Sequence, residues 1–240
     1  MKMRKIVTLL LLGVILTFVG CGSTEVIEES GNVRTENKEV KDKDVNEPEN
    51  KKDVITDVTE KMVREYKVAP ASDFEYEDTV GGVIITEYLG DDVIVVIPEE
   101  IDGKPVVELK ALLFANDYHP TVKGVMIPTT VKQLVRTFTN NEEIQVVITE
   151  GVEGLLDSTF LNCDVLHTLL LGNNLNEVEQ FCISSCPKLE EVYIPSTLTN
   201  VDEDFSLTIF FGCKELTVYG EAGSYVETLC SQNNIPFEAK

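Results

Sequence analysis

The chain has 240 residues, of which 42 are acidic and 20 are basic, so its formal charge is −22. A chain this acidic is repelled by nucleic acid and by anionic membrane surfaces, which excludes nucleic-acid binding as a function. The acidic excess is concentrated in residues 71–240, which carry 29 acids and eight bases. This charge favours cationic partners or serves only solubility.

The first residues have the pattern of a secretory signal peptide. Basic residues among the first five precede an apolar run from Ile6 to Gly20. The run is shorter than the roughly 20 residues of a membrane-spanning helix. We therefore predict that residues 1–20 are a signal peptide, with a short membrane anchor as the alternative.

The end of this run resembles the lipobox of bacterial lipoproteins. It reads Phe18-Val19-Gly20-Cys21, with Phe18 where that motif usually has Leu. The resemblance implies that Cys21 is acylated and becomes the mature N-terminus. Its acyl chains would hold the protein on the extracellular face of the bacterial cytoplasmic membrane. The alternative is ordinary cleavage near Gly20 and a fully secreted protein.

Residues 21–70 differ in composition from the rest of the chain. Asn, Glu, Lys and Asp dominate, and the stretch from Lys38 to Asp53 is almost without apolar residues. Such a segment cannot bury enough surface to offset the entropy of ordering. We therefore predict that residues 21–70 are a disordered tether. A weakly amphipathic pattern in residues 54–67 favours a short helix there.

From residue 71 onward an apolar phrase recurs about every 23 residues. Ile148, Leu171 and Ile194 are each 23 residues apart, and Cys163 and Cys186 keep the same interval. A fixed period of this length predicts a leucine-rich solenoid, in which neighbouring coils share one core. Two buried ladders are expected. They are Ile97, Ile127, Ile148, Leu171 and Ile194, and Phe114, Phe138, Phe160, Ile183 and Phe210.

The repeat units resemble the BspA-like leucine-rich-repeat family. Each has a strand that often ends in Ile-Pro, then a turn, an apolar pair, an aromatic residue, an Asn or Cys, and a Leu or Ile. Residues 81–88 resemble the family's N-terminal unit, and residues 223–237 its C-terminal cap. The resemblance implies a β-rich solenoid of about five degenerate repeats in a domain 71–240. The solenoid would begin with an N-terminal strand and end in a short helical cap. Proteins of the family serve adhesion and ligand binding, and the resemblance implies no enzymatic activity.

Five cysteines follow Cys21, and an odd number argues against a complete disulfide framework. They are Cys163, Cys182, Cys186, Cys213 and Cys230. Most lie at the repeat's turn, where a free cysteine behaves as a small buried hydrophobe. An oxidised pair between stacked coils is the alternative. Only two histidines, His119 and His167, accompany them, so we predict no metal site, no cofactor and no catalytic centre.

A ligand is expected on the exposed face of the strand column. Side chains alternate along a strand, so the residue before each buried anchor should point outward. These residues are all apolar or aromatic: Val96, Met126, Val147, Leu170 and Tyr193. Such a column predicts a contact surface, unless twist, a loop or the linker covers it. The predicted function is a lipid-anchored recognition or adhesion module that binds a protein or peptide through the concave strand face. The alternative is a structural spacer, or an accessory subunit of an envelope complex, with no ligand of its own.

Overall fold

A computed structural model gives the fold of the protein and describes residues 55–116, 119, 121–199, 201 and 208–240. In this part of the chain the α-helices are α1 (Glu60–Glu65) and α2 (Tyr225–Gln232), and a short 3-10 helix spans Ala71–Asp73. The first seven strands are β1 (Phe74–Thr79), β2 (Gly82–Tyr88), β3 (Ile94–Val96), β4 (Glu100–Ile101), β5 (Lys104–Leu109), β6 (Gly124–Met126) and β7 (Gln133–Val135). They are followed by β8 (Val146–Thr149), β9 (Gly154–Leu156), β10 (Thr168–Leu171), β11 (Glu177–Val178), β12 (Glu191–Tyr193), β13 (Thr217–Gly220) and β14 (Phe237–Ala239).

The main sheet has seven parallel strands in the order β3, β6, β8, β10, β12, β13, β14. Each coil of the solenoid contributes one strand, so the predicted repeat solenoid is confirmed, with more coils than the five that the sequence suggested. The first six of these strands each point at least one side chain into the shared core. These core residues are Val95, Val125, Val147, Leu169, Val192 and Val218, all with 2% or less of their surface exposed. Their branched apolar side chains suit a strand that is buried on its inner face.

Two smaller sheets complete the coils. Strands β7, β9 and β11 form a parallel sheet in which Leu134 pairs with Leu155 and Leu155 with Val178. At the N-terminal end, β1 and β2 form an antiparallel hairpin, and β2 also pairs with β5. The predicted N-terminal strand after Gly81 is therefore present as β2.

A stack of aromatic rings runs through the core. The rings of Phe114 and Phe138 lie 5.5 Å apart at an interplanar angle of 12°. Those of Phe138 and Phe160 lie 5.2 Å apart at 11°. The ladder continues through Ile183 and Phe210, which are also buried. This predicted ladder is confirmed, because equivalent residues of successive coils stand above one another.

A row of Asn and Cys side chains connects each coil to the one before it through hydrogen bonds. The side-chain amide of Asn141 donates to the carbonyl of Phe114 at 2.5 Å. The thiols of Cys163 and Cys186 donate to the carbonyls of the aromatic residues one coil earlier, at 3.3 and 3.0 Å. Cys213 does the same to the carbonyl of Ile183 at 3.3 Å. Either Asn or Cys is therefore suitable at this position, because each can donate a hydrogen bond to a buried carbonyl.

The C-terminal end of the solenoid is capped as predicted. The hydroxyl of Ser224 accepts a hydrogen bond from the Glu227 amide and so begins α2, as an N-cap serine does. Val226, Leu229 and Cys230 face the core. After the helix the chain turns back, and Phe237 in β14 pairs with Val218 of the last coil.

The packed structure begins before residue 71. Helix α1 lies within residues 55–70, the C-terminal part of the predicted disordered tether. Val58 and Val63 have no exposed surface, and the amide of Ala69 donates to the carbonyl of Val96 at 2.9 Å. The assignment of residues 55–70 to a disordered tether is therefore corrected. Its few apolar residues are spaced to meet the sheet, which average composition does not reveal. Residues 21–54 lie outside the described residues.

Candidate binding face

The outward side of the main sheet carries two columns of side chains. Strand register places Val96 beside Met126, Met126 beside Ile148, and Ile148 beside Leu170. Thr168 pairs with Glu191, and Tyr193 with Tyr219, so the same column continues to the last coil. The second column is formed by the residues two positions earlier on each strand. It contains Ile94, Gly124, Val146, Thr168, Glu191 and Thr217.

One predicted residue of this face points the other way. Val147 is fully buried in the main core, whereas Ile148 faces outward and Thr149 takes the inward anchor position. The paired residues Met126, Ile148 and Leu170 are each 22 residues apart. An alignment that assumes a spacing of 23 is therefore shifted by one residue along the strand. A slip of one residue moves a side chain to the opposite face. The prediction of Val147 in the ligand face, and of Ile148 in the inward ladder, is therefore wrong.

Part of the outward face is covered by the chain itself. We call residues 55–70 the strap and the outer faces of β3, β6 and β8 the covered half. Val58 and Val63 of the strap form one apolar cluster with Ile94, Val146 and Ile148 of the sheet. Each of these five side chains has 1% or less of its surface exposed. The linker therefore occupies this half of the predicted ligand face.

A glycine makes room for the strap. Gly124 lies in the outward column of β6, under the helix. A Cβ atom added there would lie 2.8 Å from Val63 Cγ2 and 3.0 Å from Val58 Cγ1. Any larger residue at this position would collide with both valines, so the glycine permits the close approach.

Polar contacts fix the strap along its length. The side chain of Gln145 accepts a hydrogen bond from the Val58 amide at 2.7 Å and donates to the Thr56 carbonyl at 3.1 Å. Arg64 forms ion pairs with Glu60 and Glu150, both at 2.7 Å. These carboxylates raise the pKa of the Arg64 guanidinium, chiefly through the hydrogen bond to Glu150. The strap thus has a defined position as well as an apolar contact.

The remaining part of the face is open, and we call the outer faces of β10, β12 and β13 the open half. Leu170, Tyr193 and Tyr219 follow one another across these strands and are half-buried. Glu191 lies beside them and is exposed. Tyr219 was not identified from the sequence, because extra residues in its coil displace it from the 23-residue spacing. The alternation in Thr217-Val218-Tyr219 is the signal that could have revealed it.

A cavity of about 580 Å³ lies where the two halves meet. Its walls include Asp57 and Glu60 of the strap and Leu170, Glu190 and Glu191 of the open half. His167 stands at its edge, with Nε2 3.8 Å from an oxygen of Asp57 and Nδ1 2.9 Å from the Thr168 hydroxyl. The cavity is acidic and opens beside the aromatic column.

The five cysteines of the described residues carry free thiols: Cys163, Cys182, Cys186, Cys213 and Cys230. Burial raises the pKa of Cys182 and of Cys230 to about 11. The pKa values of Cys186 and Cys213 are raised as well, first by neighbouring thiols in the row of Asn and Cys side chains and then by burial. A raised pKa keeps these thiols protonated at neutral pH. Those of Cys182, Cys186 and Cys213 donate hydrogen bonds to backbone carbonyls.

In the part of the chain that the structure describes, His, Cys, Asp and Glu form no group of three that could hold a metal ion. Within the same residues, no helix has the length and apolar character that crossing a bilayer requires.

The repeats match a known family. A family model described as "BspA type Leucine rich repeat region" matches residues 114–217 in six copies. No curated protein matches the sequence.

Solved structures of leucine-rich-repeat proteins resemble this chain at low identity. A protein from T. pallidum, TpLRR, is 20% identical with a TM-score of 0.48, and the match covers 72% of this chain and 98% of that one. One from Bacteroides ovatus is 20% identical with a TM-score of 0.48, covering 65% of this chain and 47% of that one. A leucine rich cell surface protein from Faecalibacterium prausnitzii is 18% identical with a TM-score of 0.33, covering 65% and 55%.

Proposed function

Residues 114–217 are a BspA-type leucine-rich-repeat region, and from this premise we propose that the protein is a recognition or adhesion module. It binds a protein or peptide partner through the open half of its outward sheet face. The observation that carries this proposal is the column of Leu170, Tyr193 and Tyr219, which stays half-buried beyond the strap. Aromatic side chains in such a column supply large contact area at a small entropic cost.

The family supports a binding role. Leucine-rich repeats of this type generally serve protein–protein interaction and are typically non-enzymatic. Of the predicted ligand residues, Val96 is buried with 8% of its surface exposed, and Met126 packs against the cluster under the strap. Leu170 also packs against the edge of this cluster, but it lines the cavity beside the open half. The proposed contact surface therefore keeps Leu170 at its boundary and Tyr193, adds Tyr219 and leaves out Val147.

The binding proposal is tested with the double variant Leu170→Ser, Tyr193→Ser in pull-downs from envelope extract with the full chain. We expect a saturable partner whose apparent affinity falls at least about tenfold, since central aromatic contacts dominate interfaces. The matched control is Val135→Ser, which removes a side chain that is 37% exposed on β7 of the other sheet. A thermal melt of each variant should stay near that of the wild type. A partner retained equally by the double variant would contradict the proposal.

A spacer without a ligand is the second candidate. The observation that favours it is the strap, which removes Ile94, Val146 and Ile148 from contact with any partner. In that case the aromatic residues of the open half are exposed to solvent without having a binding role. The absence of any saturable partner in the pull-down described above would support the spacer and reject recognition.

We further propose that the protein is attached to the outside of the cytoplasmic membrane by lipid on Cys21. Support comes from the signal-like residues 1–20 and the lipobox-like Phe18–Cys21, all outside the described residues. The chain from residue 22 to the strap then acts as a tether. Labelling cells with a palmitate analogue should mark the wild type and not Cys21→Ala. Equal labelling of both, or release of the wild type into the medium, would reject the anchor.

A further inference from the structure

The open half already holds a cation from the chain itself. The ammonium of Lys240 lies 3.3 Å from the ring centroid of Tyr219 and 3.8 Å from a carboxylate oxygen of Glu191. The positions of Glu191 and Tyr219 are fixed by the pairing of β12 with β13. An aromatic ring and a carboxylate that converge on one point form a combination that binds ammonium and guanidinium groups.

The lysine is held only weakly in this position. The side chains of Lys240 and Glu191 are 55% and 65% exposed. An ion pair so open to water contributes little, because solvent screens it and two long side chains must be ordered. Another cation delivered by a partner can therefore exchange with Lys240 at small cost.

The surroundings select for positive charge. Glu190 and Glu191 border the cavity beside the aromatic column, together with Asp57 and Glu60 of the strap. The pKa of the Tyr219 hydroxyl is raised by desolvation and further by the negative charge of Glu191 and Glu238. The basic groups that contact these acids are Lys240 at Glu191, Arg64 at Glu60 and His167 near Asp57. The acids thus outnumber the bases.

We propose, building on the recognition function above, that the open half binds a lysine or arginine side chain of a protein partner. The partner's ammonium or guanidinium takes the place of Lys240 between Tyr219 and Glu191. Leu170 and Tyr193 then contact the apolar stem of that side chain, as long basic residues commonly pack. The acidic cavity beside them accommodates further basic residues of the same partner.

The probe for this site is a fluorescein-labelled hexalysine peptide, titrated into the full chain and followed by fluorescence anisotropy. Tyr219→Leu and Glu191→Gln should each weaken binding by about threefold or more, the range of an exposed cation–π contact. Tyr219→Phe keeps the aromatic ring and should bind like the wild type. A hexaglutamate peptide should not bind.

Two matched controls separate a site from diffuse attraction. Glu177→Gln removes the same charge from β11 on the other sheet, where Glu177 is exposed, and should change the affinity little. Lys240→Gln removes the internal competitor and should tighten binding. Lys104→Gln removes an equal charge, paired with Asp78, from β5 of the N-terminal sheet and should not. If Glu177→Gln weakens binding as much as Glu191→Gln, or Lys104→Gln acts like Lys240→Gln, the attraction is diffuse and the inference is overturned.

The outcome also separates this inference from the recognition function on which it rests. If wild-type protein does not bind hexalysine, the cation site is rejected. The recognition function would still stand if a saturable partner depends on Leu170 and Tyr193 in the pull-down. A circular-dichroism melt of each variant confirms that any loss of binding is not loss of the fold.

Discussion

The covered and open halves belong to one sheet with one register, yet one half is sealed by the chain and the other is not. In the covered half both outward columns are small or apolar, with Gly124 and Val146 beside Met126 and Ile148. In the open half the second column is polar, with Thr168 and Glu191 in register with Val146. The strap lies over the half that has no polar group to hydrate.

This difference shows what decides whether a face is a core or a surface. Two adjacent apolar columns form a continuous patch that water solvates poorly, and Val58 and Val63 remove it from solvent. In the open half a single apolar column lies beside a polar column that contains Glu191 and Thr217. The polar column stays hydrated, and the apolar column is available for contact. Such an amphipathic stripe is typical of exchangeable binding surfaces, not of permanent cores.

The strongest test of the comparison places a charge on each half. Val63→Asp buries a carboxylate against Ile148, so the strap should detach and lose the burial of its two valines. Fully burying one valine contributes about 1.5–3 kcal/mol, so the loss of both should lower the free energy of unfolding by about 3–6 kcal/mol. Chemical denaturation measures this loss, and limited proteolysis should cut within residues 55–66.

Tyr193→Asp is the matched substitution on the open half. Its side chain is already half-exposed, so stability should change by no more than about 0.5 kcal/mol. Equal destabilisation by Tyr193→Asp would mean that the open half is as much a part of the core as the covered half. Resistance of Val63→Asp to proteolysis in the strap would mean that the strap is not held by its valines.

A second test uses equivalent positions of the two halves. Gly124→Leu inserts a side chain where a Cβ alone would lie 2.8 Å from Val63. We expect a loss of about 1–3 kcal/mol, the usual cost of overpacking, and faster amide hydrogen exchange in α1. Thr168→Leu places the same side chain at the equivalent position two strands further along. Helix α1 packs on β3, β6 and β8, whereas Thr168 borders the cavity, so the cost should stay within about 0.5 kcal/mol.

If hydrogen exchange in α1 is unchanged in Gly124→Leu, the glycine is not there to admit the strap. Slower exchange, from added apolar contact, would contradict the argument in the opposite direction. Either result would leave the apolar cluster as the only reason for the position of the helix.

The sequence predicted the solenoid and its aromatic ladder because these repeat with the coil. Phe114, Phe138 and Phe160 stand one coil apart, and stacking translates that spacing directly into contact. The outward face was harder to predict, because its orientation depends on parity along a strand. Because one coil is a residue shorter than the assumed period, Ile148 and not Val147 faces outward. Because a later coil is longer, Tyr219 does not fall at the assumed spacing.

The strap could not be predicted from composition. Its polar residues place it with the tether. The weakly amphipathic pattern of residues 54–67 predicts the helix, but not that Val58 and Val63 are buried against the sheet. With the correct register, however, the outward residues Ile94, Gly124 and Val146 form one apolar column with a glycine in its middle. A glycine within an apolar column indicates that another segment approaches closely. This pattern becomes visible only once the pairing of the strands is known.

The smallest expected effect concerns the ion pairs of the strap. Arg64→Gln removes the contacts to Glu60 and Glu150, but the Arg64 side chain is 38% exposed and that of Glu150 is 45% exposed. Exposed ion pairs contribute about 0–1 kcal/mol, so the loss should lie below 1 kcal/mol and shrink further in about 0.5 M salt. Denaturation at two salt concentrations measures both quantities. A salt-independent loss above about 2 kcal/mol would show that charge, and not the apolar cluster, holds the strap on the covered half.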